Sequence, residues 1–347
     1  MGSYPKYGII LLLILFLPWK LLFIVIIIIG SIFAISASSW FIAWIGLEIN
    51  TVSLLALFLN EKSPRNSEAS LKYFLVQALA SSLLIFAALL RMQDSLVPIS
   101  MKEVNSLVTI SLLIKLGASP FHVWIPQVIE GLKWLFSFIV LSWQKFAPFF
   151  LLRLTLSNTY QVLILATIIL SSLIGAINGL SQTSIRKLLT FSSINHLGWI
   201  ISSLLLKLSR WLWYFLIYCC ILAILICFIR TNNLSSISNF WFSRNKRTFM
   251  MGSRIILSFG GLPPFIGFLP KWLIISDLFS KNFMFVALIL VMSSLITLFF
   301  YLRIMFPTLL MRRKNSLLFY NPPKTLYAFF IFNLSGIALA PIVFSLV

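Results

Sequence analysis

The sequence predicts an all-α polytopic membrane protein of about eleven transmembrane helices, two of them broken. Three observations carry this. The 347 residues are 60% hydrophobic and only 10% charged, with a mean hydropathy of +1.03. Apolar runs of about 18 residues or more, long enough to cross a bilayer, recur along the whole chain. The pattern Gly-x-x-Pro-Phe falls twice inside such runs, 144 residues apart, where a continuous helix cannot form.

Taken in order, residues 1–18 read as an N-terminal extension, interfacial or a prolongation of the first helix. Their apolar run ends at Pro18 and is too short to span. Residues 8–17 resemble a signal core, but no small-residue cleavage site precedes the next span. Residues 19–347 read as one transmembrane domain with helices over 19–37, 40–59, 68–91, 104–124, 127–152, 158–181, 187–207, 210–230, 249–272, 283–306 and 325–346. The clearest loops are Glu61–Asn66, Arg244–Arg247 and Arg312–Lys314. With about 20 residues per span, no length remains for a soluble domain.

Charge supports the count. The chain carries 27 Lys+Arg against 7 Asp+Glu, a formal charge of +20. No polar domain bears a basic stripe, which argues against nucleic acid. When alternate loops are assigned to opposite sides, 18 basic residues fall on the N-terminal side and 6 on the other. A bias of that size is the mark of the untranslocated face, and a miscounted span would scramble it. Anionic lipid, cardiolipin included, is a secondary partner suited to that face. Cys219, Cys220 and Cys227 share one apolar stretch without a CxxC pair and read as small apolar residues rather than a disulfide or metal set.

Four ionisable residues lie at membrane depth: Glu48, Lys115, Lys145 and Lys271. Each costs roughly 3 kcal/mol even on lenient insertion scales, so such residues face a bundle interior or hydrated cavity and handle ions or protons. Lys145, beside Pro148, and Lys271, after Pro270, also have the option of snorkelling from a helix end. His196 sits among hydroxyls and an amide, where a packing histidine competes with a relay role. His122 abuts Pro120 near a span end. Glu130 and Asp277 read as interface or loop charges. The chemistry suits proton relay, because burial disfavours a charged amine and a nearby carboxylate favours it. Moving a partner charge by a few ångströms therefore loads or unloads the proton. Ser142, Gln144, Thr190, Ser192, Ser193 and Asn195 are placed to hold connecting waters. The sequence has no Cys cluster, haem-ligand pair or Gly-rich nucleotide loop.

The two interruptions are an internal repeat. Gly117-Ala-Ser-Pro120-Phe121 is followed by Pro126, and Gly261-Leu-Pro-Pro264-Phe265 by Pro270. Glu48 precedes Gly117 by 69 residues and His196 precedes Gly261 by 65. Gly and Pro within one turn predict a discontinuous helix, tolerated in a membrane only where it is buried in protein or lines water. Paired breaks in corresponding positions point to a transport site at a repeat interface.

On WIGLEIN, SEASLKYFLVQALAS, KLGASPFHVWIP, LSWQKFAP, GLSQTSIRKLLTFSSINHLGW and GGLPPFIGFLPKW, the chain resembles, in arthropod-like form, the subunit 2 family of mitochondrial NADH:ubiquinone oxidoreductase (complex I). The resemblance runs from about residue 20 to 305 with the motifs in family order. It implies an antiporter-like proton-pumping subunit with inverted repeats, eleven helices and an inner-membrane location. The N-terminus would lie in the matrix and the C-terminus in the intermembrane space. NADH, FMN, iron–sulfur clusters and ubiquinone would belong to other subunits of the complex, with membrane-arm and accessory subunits as partners. It further implies that Glu48 and Lys115 form a coupled pair, that Lys145 is the central relay, and that Lys271 serves the exit half-channel with His196 on the axis between lysines. One departure is Ser119, where the family pattern has alanine. Two other readings stay open: an Mrp-like cation/proton antiporter, and a structural spacer with no proton path of its own.

Overall fold

In the computed structural model, the described residues are 18–59, 63–92, 100–156, 161–206, 208–238 and 246–310. Among them every named element is a helix. The sole pairing of extended backbone is an isolated bridge between Ser184 and Ser236. The chain divides into two compact units. Unit 1 comprises residues up to Leu116 together with Glu130–Tyr160, and unit 2 comprises Gly117–Ile129 and the residues from Gln161 onward.

Unit 1 contains α1 (Pro18–Ile35), α2 (Trp40–Leu59), α3 (Pro64–Met92) and α4 (Met101–Leu116). Later in the chain α5 (Trp124–Gly131) crosses the division, and α6 (Trp134–Leu141) and α7 (Trp143–Thr155) complete unit 1. Each helix from α1 to α4 packs on the next, and α7 closes the group against α4 and α1. Unit 2 adds α8 (Gln161–Leu180), α9 (Ile185–Leu204), α10 (Leu208–Thr231), α11 (Lys246–Gly260), α12 (Phe268–Ser280) and α13 (Met284–Leu310). Here α9 is the core. It is covered by α8, α10, α12 and α13, and every residue from Leu188 to Leu204 is buried. A helix screened from lipid on all sides can carry polar residues that a lipid-facing helix cannot. That is why Thr190, Ser192, Ser193, Asn195, His196, Ser202 and Ser203 are all found on it.

Among the described residues, six segments are long and apolar enough to cross a bilayer: Trp40–Leu59, Pro64–Met92, Trp134–Thr155, Gln161–Leu180, Ser209–Thr231 and Met284–Phe306. Their outward faces are studded with exposed Leu, Ile, Val and Phe, among them Leu75, Leu79, Phe285 and Phe299. The expected spans 104–124 and 249–272 are not continuous helices: α4 stops at Leu116 and α11 at Gly260, and each chain segment turns before resuming as α5 or α12. The expected 127–152 span is cut at two places, before Trp134 and at Ser142. Pro148, the expected helix end beside Lys145, lies inside α7. The bond it forgoes is to Gln144 O in the first turn of that helix, and the break falls further upstream, at Ser142. Arg244–Arg247 was expected to be a loop, whereas Lys246 already opens α11. Residues 1–17 of the 1–18 extension, the loop Arg312–Lys314 and the span 325–346 lie outside the described residues, and Pro18 already opens α1.

Contacts within unit 2 respect the alternation of loops inferred from charge. Arg303 Nη1 donates to Leu180 O at 3.1 Å, at the end that also holds the Ser184–Ser236 bridge. At the opposite end Lys281 Nζ donates to Leu205 O at 2.8 Å, and Arg210 pairs with Asp277. Each contact joins loops assigned to the same side.

Small residues set the closest helix approach in this unit. A Cβ built on Gly175 of α8 would meet Asn195 N of α9 at 2.5 Å and Phe191 O at 2.8 Å, the close backbone packing that holds helices together without a hydrophobic driving force. Gly175→Leu is therefore expected to force α8 and α9 apart, costing about 1–3 kcal/mol as overpacking does. Thermal unfolding in detergent would register it as a lowered midpoint, and an unchanged midpoint would contradict this packing.

Candidate functional site

The two interruptions share one backbone construction. Gly117 has φ +68° and Gly261 φ +81°, a left-handed conformation open to glycine but costing other residues roughly 1–2 kcal/mol. Four residues on, Phe121 N donates to Ala118 O at 2.8 Å, and Phe265 N to Leu262 O at 3.0 Å. Four further on, Ile125 N donates to His122 O at 3.1 Å, and Leu269 N to Ile266 O at 3.2 Å. The helix resumes seven residues after the glycine in both cases, at Trp124 and at Phe268. Pro126 and Pro270 then fall in the first helical turn, where a missing N–H costs nothing. The two turns differ in that the Ser119–Pro120 peptide is cis. The repeat seen in sequence is thus a repeat of individual hydrogen bonds.

The second break ends α11 in a complete cap. Gly261 N reaches Ser258 O at 3.1 Å and Leu262 N reaches Leu257 O at 3.4 Å, the two bonds of a Schellman termination. The last carbonyl, Gly260 O, accepts a 2.8 Å hydrogen bond from Lys271 Nζ. Lys271 sits in the first turn of α12, so its ammonium reaches back across the break to the negative end of the α11 dipole, where a cation is favoured. Its Nζ also lies 5.6 Å from the Trp199 ring centroid, within cation–π range. A Cβ on Gly261 would stand 3.0 Å from Lys271 Nζ, so that glycine supplies both the turn and room for the ammonium.

In unit 1 the lysine comes from the terminating helix itself. Lys115 is in the last turn of α4, and its backbone carbonyl accepts a bond from Gln77 Nε2 at 3.5 Å. Its Nζ lies 3.8 Å from Glu48 Oε1, with the lysine side chain 2% and the glutamate 29% exposed. At that separation and an effective dielectric near 20, an ion pair attracts by about 4 kcal/mol. The gap is too long for a direct hydrogen bond, and neither Lys115 Nζ nor Glu48 Oε1 has a hydrogen-bond partner among the described residues. Glu48 Oε2 accepts from Thr51 Oγ1 at 3.4 Å. Two residues past Glu48, Asn50 Oδ1 accepts from Gln144 Nε2 at 2.9 Å, and Gln144 Oε1 accepts from Tyr73 at 3.5 Å. Lys145, the next residue after Gln144, is buried in the first turn of α7. Relative exposures of 5%, 3% and 6% for Lys115, Lys145 and Lys271 rule out snorkelling within this chain.

His196 is held at the centre of unit 2. Its Nδ1 lies 2.8 Å from Tyr214 Oη, and Phe259 and Tyr218 flank the ring with centroids 4.6 and 5.2 Å away. Trp199, one turn further along α9, carries the Lys271 ammonium. His122 differs: it is half-exposed, and its Nδ1 contacts Pro120 O at 3.2 Å inside the first break. The structure does not bring it into either buried cluster. Thr190, Ser192, Ser193 and Ser142 donate their hydroxyl protons to carbonyls of their own helices. They face any water as acceptors. Gln77, Tyr214 and Trp199 were not singled out from sequence. Nor was the Arg210–Asp277 pair: α12 runs on to Ser280, so Asp277 belongs to a buried ion pair rather than to a loop.

The family of transmembrane NADH:quinone oxidoreductase/Mrp antiporter subunits matches residues 37–297. NADH-ubiquinone oxidoreductase chain 2 of Anopheles gambiae is 42% identical over 313 residues, covering 86% of this chain and 89% of that one. The protein of the same name from Xenopus laevis is 39% identical over 290 residues, covering 82% and 84%. Among solved structures, a chain of respiratory complex I from Thermus thermophilus with bound aureothin superposes with a TM-score of 0.78 at 20% identity. The match covers 93% of this chain and 79% of that one. A chain of the Mrp complex from Dietzia sp. gives 0.73 at 17%, covering 84% and 61%.

Two substitutions probe the geometry. Glu48→Gln leaves the Lys115 ammonium buried without its counter-charge, a loss of about 3–5 kcal/mol for a fully buried pair and less here because Glu48 is partly exposed. The double variant Glu48→Gln/Lys115→Met is expected to be more stable than Glu48→Gln alone, and thermal midpoints that simply add would exclude coupling. Gly261→Ala is expected to cost roughly 1–2 kcal/mol in backbone strain and to displace Lys271, whereas Ala at exposed Gln127 should do neither.

Proposed function

Because the chain belongs to the NADH-ubiquinone oxidoreductase chain 2 family, we infer that it is a core membrane-arm subunit of respiratory complex I. On this reading it moves protons across the mitochondrial inner membrane, driven by NADH oxidation and ubiquinone reduction in other subunits. Those subunits would hold NADH, FMN, the iron–sulfur clusters and ubiquinone, with no redox centre and no metal in this chain. The family match runs through both compact units, which supports reading 19–347 as one antiporter-like domain.

The observation that carries the reading is the 3.8 Å Glu48–Lys115 pair at the end of a broken helix. A buried amine whose carboxylate neighbour is close but not hydrogen-bonded has its charge set by that separation. A gap above 3.5 Å between polar groups suits a bridging water. A shift of either helix would therefore load or unload the proton on Lys115. Gln144, Asn50 and Tyr73 supply a polar path toward Lys145, the central relay. In unit 2, Lys271 would take the exit role with His196 and Tyr214 on the polar axis, and His122 would serve only a peripheral part of the path. The 18-to-6 distribution of basic residues supports an N-terminus in the matrix and a C-terminus in the intermembrane space. It also suits contact with anionic lipid such as cardiolipin. Other membrane-arm and accessory subunits are the expected protein partners.

A second reading, an Mrp-like cation/proton antiporter, draws on the fold likeness to the Mrp complex. A spacer without its own proton path is disfavoured by the burial of all three lysines.

The deciding experiment is native mass after mild detergent extraction with in-gel NADH oxidation. Migration with a large NADH-oxidising assembly supports the respiratory role, and migration in a small complex with sodium-dependent exchange supports the antiporter. Within the assembled complex, Lys115→Ala is expected to lower proton translocation roughly tenfold or more, as loss of a proton-transferring group does. Full pumping with normal assembly would establish the spacer instead.

A further inference from the structure

Unit 2 contains a single carboxylate, Asp277, and the proton-carrying role inferred above makes no use of it. Asp277 lies on α12, six residues beyond Lys271, or about 9 Å along the helix axis at 1.5 Å per residue. Its Oδ2 is 2.8 Å from Arg210 Nε with both side chains largely buried, 18% and 10% exposed. Arg210 Nη2 donates a hydrogen bond to Asp277 Oδ1 at 3.5 Å, whereas the Nε–Oδ2 contact is an ion pair without hydrogen-bond geometry. Arg210 is in the first turn of α10, directly after the turn that ends α9. Just past the end of α12, Lys281 Nζ donates to Leu205 O in that same turn at 2.8 Å. The far end of α12 is thus tied twice to the α9–α10 connection, while its near end carries Lys271 to Gly260 O and over Trp199 of α9.

We propose that the Arg210–Asp277 pair is a positioning device for Lys271, fixing the second half of the broken helix so that the ammonium meets the end of α11. A helix severed from its first half by the turn at Gly261 has no backbone ladder to hold its register. Some other contact must set where its first turn sits. Stability alone does not account for the pair, since desolvation of two charges offsets most of their attraction and apolar residues would serve as well. What the pair adds is a fixed separation between α12 and the start of α10. Lys and Glu differ from Arg and Asp in length and head-group shape, so the device is sensitive to substitutions that keep the charge.

The inference rests on the reading of Lys271 as a proton carrier, and the test separates the two. Arg210→Lys, Asp277→Glu and Lys271→Ala would be introduced into the intact complex. Each would be scored for amount assembled and, per assembled complex in proteoliposomes, for protons moved per NADH oxidised. The expected result for the two charge-conserving variants is assembly within about twofold of the parent and a fall of roughly tenfold or more in coupled proton movement, since misplacement by about 1 Å can cost up to about a hundredfold. Normal proton movement per assembled complex in both variants overturns the proposal, whether or not the amount assembled falls, because the pair then only holds the fold. Lys271→Ala with normal proton movement would overturn the functional reading itself. If Lys271→Ala loses pumping while Arg210→Lys and Asp277→Glu keep it, only the positioning role fails.

Discussion

A helix that stops inside a bilayer leaves its last carbonyls facing a medium that cannot hydrogen-bond them, and the polar architecture here follows from that constraint. Both breaks meet it with a left-handed glycine, a tight turn and a lysine. At the second break the ammonium of Lys271 caps Gly260 directly. At the first, Lys115 stands in the terminal turn, its carbonyl taken by Gln77 and its charge faced by Glu48. Burying a cation at a helix C-terminus serves two ends together: the dipole lowers the cost of the charge, and the charge satisfies part of the broken ladder. In the proposed function the same groups would carry the protons.

This constraint also explains how polarity is distributed. Hydroxyls are concentrated on α9, the helix that lipid never reaches, and most spend their protons on their own backbone. Such a helix presents acceptors inward, a suitable lining for a path that carries a positive charge. His196 and Tyr214 interrupt it with a ring pair able to donate and accept at 2.8 Å. Outside these clusters the described helices present aliphatic and aromatic faces, the composition from which the spans were first read.

Legibility divided along one line. The breaks at Gly117 and Gly261 were visible because Gly and Pro dictate backbone geometry locally, and the two copies match down to equivalent hydrogen bonds. Pro148 misled because the bond it forgoes falls in the first turn of α7, while the break itself lies at Ser142, where no residue type advertises a kink. Lys271 read as a candidate for snorkelling because its place at a helix start hid the carbonyl it reaches across the turn. The partners Gln77, Trp199, Tyr214 and Arg210 were not legible at all. Each belongs to a helix whose own pattern is unremarkable, and meets a partner 18 to 72 positions away in the chain.

The sequence by itself determined the helical membrane class, the places where helices must break, and which four ionisable residues had to find buried partners. Hydrophobicity, backbone restriction and the cost of a charge in hydrocarbon are properties of single residues and short windows. Only the tertiary structure decided which groups those charges meet, Glu48 beside Lys115 and Gly260 under Lys271, and the separate pairing of Asp277 with Arg210. Those pairings depend on the rotation and register of packed helices, which interdigitating side chains set collectively and no local pattern records.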